Sequence, residues 1–131
     1  MPYALVEVRR SSSEAEEGAL LDAVHAALVA AFRIPERDRH LRLVEHAPHR
    51  FACPPDLAHP ELFTLVTIDG LAGRSIEAKR RLYREVVQRL EACGIPRDHV
   101  SILLRESEAQ NWGVRGGQAA SDVDLGFEVR V

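Results

Sequence analysis

The apolar positions of this chain fall into one arrangement that occurs twice. Tyr3–Val8 (YALVEV) and Phe63–Ile68 (FTLVTI) are short, nearly continuous apolar runs 60 positions apart. Runs of this length and composition form strands buried in a layered core. After the first run, Ser13 with Glu16 three residues on has capping-box spacing. Leu20, Val24, Ala27, Leu28 and Ala31 then recur along one helical stripe. After the second run, Ser75 opens another helix, with Glu77 in the first turn, where the dipole favours a carboxylate. Tyr83, Val86, Val87 and Leu90 form its expected apolar face. Both helices stop on similar punctuation, Ile34-Pro35-Glu36-Arg37-Asp38 and Gly94-Ile95-Pro96-Arg97-Asp98. Gly94 suits a left-handed cap, and neither proline can continue a helix. A further strand follows each stop, His40–Glu45 and Val100–Arg105.

The pattern predicts an α+β fold of two layers, built from two β-α-β units. Each unit needs a right-handed crossover, and two of them side by side give a four-stranded core sheet with two helices on one face. The repeats span about 2–46 and 62–105 of a single domain covering 1–131. His46–Pro60, with four prolines and three histidines, connects them. The other sheet face is expected to be bare and apolar, which calls for a partner subunit. A loop and strand over 106–131 complete the chain, with alternating Phe127–Val131 expected to pair with another subunit.

Composition narrows the class. An apolar fraction of 46% with 28% charged residues is that of a soluble globular protein. A net charge of −3, with arginines dispersed among acids, lacks a nucleic-acid footprint. The apolar block Ala19–Phe32 follows Glu14, Glu16 and Glu17, unlike a secretory signal, and is too short and interrupted to span a bilayer. Cys53 and Cys93 make neither a disulfide framework nor a metal pattern, and Cys93 reads as a buried structural thiol. A cytoplasmic setting is expected. The six histidines have no ligand spacing, and most are expected in loops or at the surface. Gly113–Gly117 lacks the Lys-Ser/Thr of a phosphate-binding loop.

Pro2 carries the candidate chemistry. If Met1 is removed, as is usual before a small residue, the chain begins with a secondary amine. Amino termini titrate around 7.7–8.0, and an apolar pocket lowers that further. A proline inside a chain has no such proton chemistry.

A duplicated β-α-β chain opening on Met-Pro resembles the tautomerase superfamily, whose fold is that of macrophage migration inhibitory factor. Gly73-Arg74-Ser75-Ile76-Glu77-Ala78-Lys79 resembles the family's arginine at the end of the third main strand. Asn111-Trp112-Gly113-Val114-Arg115-Gly116-Gly117 resembles its aromatic-and-glycine stretch after the last main strand. Ile34-Pro35-Glu36-Arg37-Asp38-Arg39 resembles the aspartate loop of malonate semialdehyde decarboxylase and its relatives. The resemblance implies a homotrimer, a small oxo-carboxylate substrate, and no metal or organic cofactor. One departure is notable. The decarboxylase carries two arginines two residues apart, whereas here only Arg74 matches and the other falls on Ala72. Val114 also stands where that enzyme has an aromatic residue.

The implied roles follow. Pro2 is the general acid/base, Arg74 grips the substrate carboxylate beside a helix N-terminus, and Asp38 orients water or holds a proton. Trp112 is expected to wall the pocket with Val114 and Phe127, while Arg115 and Gln118 are further polar candidates. The chemistry is keto–enol tautomerisation or decarboxylation of a 3-oxo acid of the malonate semialdehyde type. Two alternatives stand beside it: a non-catalytic binding or assembly module of the same fold, and a haloacrylate dehalogenase or hydratase. The single matched arginine argues against the last.

Overall fold

The computed structural model describes residues 1–131. Strand β1 covers Tyr3–Val8, the residues expected from the apolar run. Helix α1 covers Glu14–Phe32, and Ser13 and Glu16 form the full reciprocal capping box. Such a cap contributes about 1 kcal/mol. The left-handed residue that ends α1 is Arg33, at φ 56°. β2 covers Leu41–Glu45, β3 Thr64–Leu71, α2 Ile76–Ala92 and β4 Val100–Ser107. A small hairpin follows, with β5 at Gly113–Val114 and β6 at Gln118–Ala119. Its turn holds Arg115, Gly116 and Gly117 all at positive φ, which the two glycines adopt without steric cost.

The sheet order is β2-β1-β3-β4. β1 pairs parallel with β2 and β3 parallel with β4, while β1 and β3 run antiparallel at the centre. Each parallel pair is one β-α-β unit, so the duplication read from the chain is the duplication of the fold. Ala4, Val6, Val66 and Ile68 point from the central strands into a core closed by Val24, Leu28, Leu82, Val86 and Leu90 of the helices, every one of them essentially unexposed.

Four expectations need correction. The buried stripe of α2 is Ala78, Leu82, Val86 and Leu90; Tyr83 and Val87 only flank it. The face away from the helices is open but not uniformly apolar. It exposes Leu103 and Val44, yet Arg105 makes a bidentate bond to Asp69 at 2.8 Å, and Glu7 pairs with His46 at 2.9 Å. Four of the six histidines lie in loops or at the surface, and two are buried. His25 Nε2 lies 2.8 Å from the Glu36 carbonyl oxygen, and His99 Nε2 accepts from the His59 amide while its Nδ1 faces Asp98 at 2.7 Å. Cys93, at the end of α2, is half-buried, and that burial pushes its thiol pKa up.

The fourth correction concerns the C-terminal segment. Phe127–Val131 is not a strand. It lies as a tail against the start of α2, where the Ser75 amide donates to the Val131 carbonyl oxygen at 3.0 Å. Gly73, at φ 131°, faces the tail; a Cβ there would stand 3.4 Å from Val129 Cγ1. The alternation seen in the sequence thus serves two packing surfaces, with Phe127 and Val131 on the main core and Val129 on a smaller cluster near Met1.

Candidate active site

The start of β1 and the ends of β3 and β4 meet at one edge of the fold, beside the turn before β2. Pro2 has a fully buried side chain. It faces Gly70 in β3, where a Cβ would stand 3.9 Å from Pro2 Cβ and 3.7 Å from Arg74 Nη1. Pro2 and Arg74 therefore flank the same point.

Arg74 is 6% exposed. Its Nη1 donates to the Leu71 carbonyl at 3.2 Å, and its guanidinium carbon sits 4.3 Å from the centroid of the Phe32 ring. Nε and Nη2 are buried without a partner. Burial pulls its pKa down from the ordinary guanidinium value to about 10, although Glu106 and Asp38 oppose the shift. A buried guanidinium with two empty donors is costly unless an anion completes it. At the N-terminus of α2 the N-cap amide of Ser75 bonds the tail and the Ala78 amide donates to Ser75 Oγ at 3.1 Å.

Asp38 closes the other side. Its Oδ1 accepts a bond from the amino terminus of Met1 at 2.5 Å and lies 3.3 Å from His40 Nε2, while Oδ2 is buried with no partner. Burial lowers the pKa of this terminal amine below its ordinary 8.0, Asp38 acting against the change and the charge of Arg74 with it. In the encoded chain the Pro2 nitrogen is acylated by Met1. The Met1 side chain is itself buried, in a cluster with Leu71 and Ala120 against which Trp112, Val114, Leu125 and Val129 pack.

A cleft of about 470 Å³ opens over this group. Met1, Tyr3, Arg37, Asp38, His40, Val114, Arg115, Leu125 and Phe127 are among its lining residues. Of the residues singled out from the sequence, Asp38, Val114, Arg115 and Phe127 line the cleft. Pro2 and Arg74 lie buried beside it. Trp112 is not a cleft wall: its Nε1 donates to Ser107 Oγ at 2.8 Å, and its ring packs against Met1 and Tyr3. Arg115 is exposed and donates to the Asp124 carbonyl at 2.6 Å. Gln118 bonds the Arg115 carbonyl at 3.0 Å, fixing the turn.

Residues 38–115, more than half of the chain, match the family model described as "Tautomerase enzyme". The chain belongs to the tautomerase family. It is 30% identical over 120 residues to the probable tautomerase YrdN of Bacillus subtilis (strain 168), covering 89% of this chain and 91% of that protein. Among solved structures it is similar to malonate semialdehyde decarboxylase, with 27% identity and a TM-score of 0.82, covering 93% of this chain and 99% of that one. A fused 4-OT symmetric trimer is 26% identical with a TM-score of 0.76, covering 91% of this chain and 96% of that one.

Among the cleft residues to which the sequence assigns no role are Tyr3, Arg37, His40 and Leu125. Two of them follow from the strand register. Parallel pairing of β1 with β2 puts Ala4 opposite Leu41, so Tyr3 and His40, one position earlier on each strand, must be neighbours. Their rings stack with centroids 4.3 Å apart. No helix of this chain is long and apolar enough to cross a membrane.

Proposed function

We propose that this tautomerase-family chain is a cofactor-independent enzyme acting on a small oxo-carboxylate through an N-terminal proline. Removal of Met1 would free the Pro2 nitrogen as a secondary amine at the floor of the cleft and vacate the apolar space the methionine fills. Arg74 then receives the substrate carboxylate on its two unpartnered donors, in the bidentate geometry that a guanidinium offers a carboxylate. With the acid anchored, Pro2 moves a proton between carbon and oxygen in a keto–enol tautomerisation. If the substrate is a 3-oxo acid, the carboxylate leaves as carbon dioxide and the enol carbon takes its proton from the Pro2 ammonium. Asp38 orients the amine or a water molecule, and Val114, Phe127 and Arg115 bound the substrate. Assembly as a homotrimer through the open sheet face fits the trimeric 4-OT relative.

The observation that carries this reading is Arg74. It is a buried guanidinium with two empty donors beside a buried proline, in a chain of this family. The chemistries separate in one assay. Met1-free protein is offered phenylenolpyruvate and, separately, malonate semialdehyde, with ketonisation followed by absorbance and decarboxylation by carbon dioxide release. Turnover of at least one is expected. Inertness toward both favours the alternative of a non-catalytic module, whose motivating observation is the well-packed Met1 side chain blocking the proline nitrogen.

A further inference from the structure

His40 lines the cleft, yet the roles assigned above leave it unused. Its ring lies nearly parallel to that of Tyr3, at 7° and 4.3 Å between centroids, so its position is set by a residue of β1. Its Nε2 stands 3.3 Å from Asp38 Oδ1, the same oxygen that accepts from the amino terminus at 2.5 Å. The terminus is enclosed and Asp38 is only 15% exposed, but the His40 side chain is 44% exposed. The three groups thus form a graded path from a dry amine, through one carboxylate oxygen, to an imidazole in contact with water. Other charges bordering the path are Arg37 and Arg115 on the cleft walls and Arg74 behind the terminus. Arg39, next in sequence, is turned away to Asp22 at 2.5 Å.

We infer that His40 is a relay residue that exchanges the proton of the N-terminal amine with solvent through Asp38. The inference rests on the reading that this amine performs the proton transfer. In the processed chain the amine is that of Pro2, one residue on, or about 3.8 Å between successive Cα atoms. With Met1 gone, the Pro2 ammonium gives its proton to a water molecule in the space the methionine vacates, which passes a proton to Asp38 Oδ1; Asp38 passes it to His40 Nε2, and the imidazole releases its Nδ1 proton to water. One proton leaves the amine and one enters solvent, and the reverse sequence reloads the amine. Imidazole suits this step because its proton affinity in water is matched to neutral pH. A carboxylate alone, mostly enclosed, has no comparable route to water.

Two measurements decide it. The first needs no turnover. The imidazole ¹⁵N shifts of His40 are followed against pH in Met1-free protein and in its Asp38→Asn variant. Two groups bridged by one carboxylate titrate as a coupled pair. The His40 curve should therefore carry a second inflection where the Pro2 amine titrates, and Asp38→Asn should abolish it. A single simple His40 curve in the unmutated protein overturns the relay. The second measurement uses turnover. His40→Gln should lower kcat by about tenfold with KM little changed, and added imidazole should restore His40→Ala in proportion to its concentration. An undiminished kcat in His40→Gln, or a loss that imidazole does not repair, overturns the relay in favour of mere support of Tyr3 and Asp38. If the unmutated protein and Pro2→Ala are equally inert, the enzymatic reading fails, and the titration still decides the coupling.

Discussion

Arg74→Met abolishes turnover and leaves the protein more stable than before. Both halves of this expectation come from the same buried guanidinium. Depression of its pKa to about 10 corresponds to a cost of about 3 kcal/mol in the folded state at neutral pH. The sign follows from the charge. A cation whose pKa is depressed on folding destabilises the protein at every pH below about 10, and the penalty is relieved only as pH rises from there toward the ordinary guanidinium value. Contact with the Phe32 ring at 4.3 Å returns about 1–2 kcal/mol. Methionine keeps most of the apolar stem and carries no charge, so urea unfolding should show a net gain of about 1–2 kcal/mol. A small oxo-acid should raise the thermal midpoint of the unmutated protein and leave that of Arg74→Met unchanged, because the anion completes the empty donors. Loss of the carboxylate grip should cut kcat/KM by at least about 10²-fold. A destabilised Arg74→Met protein would make Arg74 a structural residue and remove the anion site from the account.

Pro2→Ala is the second large effect. The variant still presents an amine after loss of Met1, but a primary one on a freely rotating residue in place of a rigid ring. Activity should fall by about 10²–10³-fold, within the range general acid–base groups supply. The pH dependence carries a further sign. Burial holds the Met1 amine at this end of β1 below its ordinary pKa, with Asp38 opposing the shift, and the same enclosure and the same carboxylate bear on the Pro2 amine once Met1 is gone. For a reaction using the free Pro2 amine as base, kcat/KM should rise with pH to a plateau. Asp38→Asn removes an anion that favours the ammonium, so the rising limb should move to lower pH. A limb that moves upward in Asp38→Asn would contradict the assigned electrostatics.

The architecture was legible because each local signal agreed with the next. Ser13 and Glu16 cap α1, the apolar stripe after them is buried, and the run Tyr3–Val8 is β1 to the residue. Where the reading went astray, a pattern had two physical origins. Within the chain, the alternation in Phe127–Val131 belongs to a tail wedged between two apolar clusters, which form no strand signal of their own. Leu82 was passed over because Tyr83 and Val87 offered an equally apolar line one position around the helix. Trp112, expected as a pocket wall, packs instead on a smaller cluster assembled from Met1, Leu71 and Ala120, far apart in the chain. In the site, Arg74 and Asp38 were visible through resemblance, since each sits in a motif. His40 has no motif. Its place depends on strand register and on the stacking with Tyr3, which only three-dimensional pairing brings about.

The central claim is that the proline nitrogen, freed of its methionine, does the chemistry. The most direct measurement compares two preparations of one sequence, their intact masses showing Met1 absent in one and retained in the other, on the better of the two substrates. The account predicts that the shorter form turns over and the longer form is silent, its Pro2 nitrogen being an amide. Equal rates from the two would contradict it.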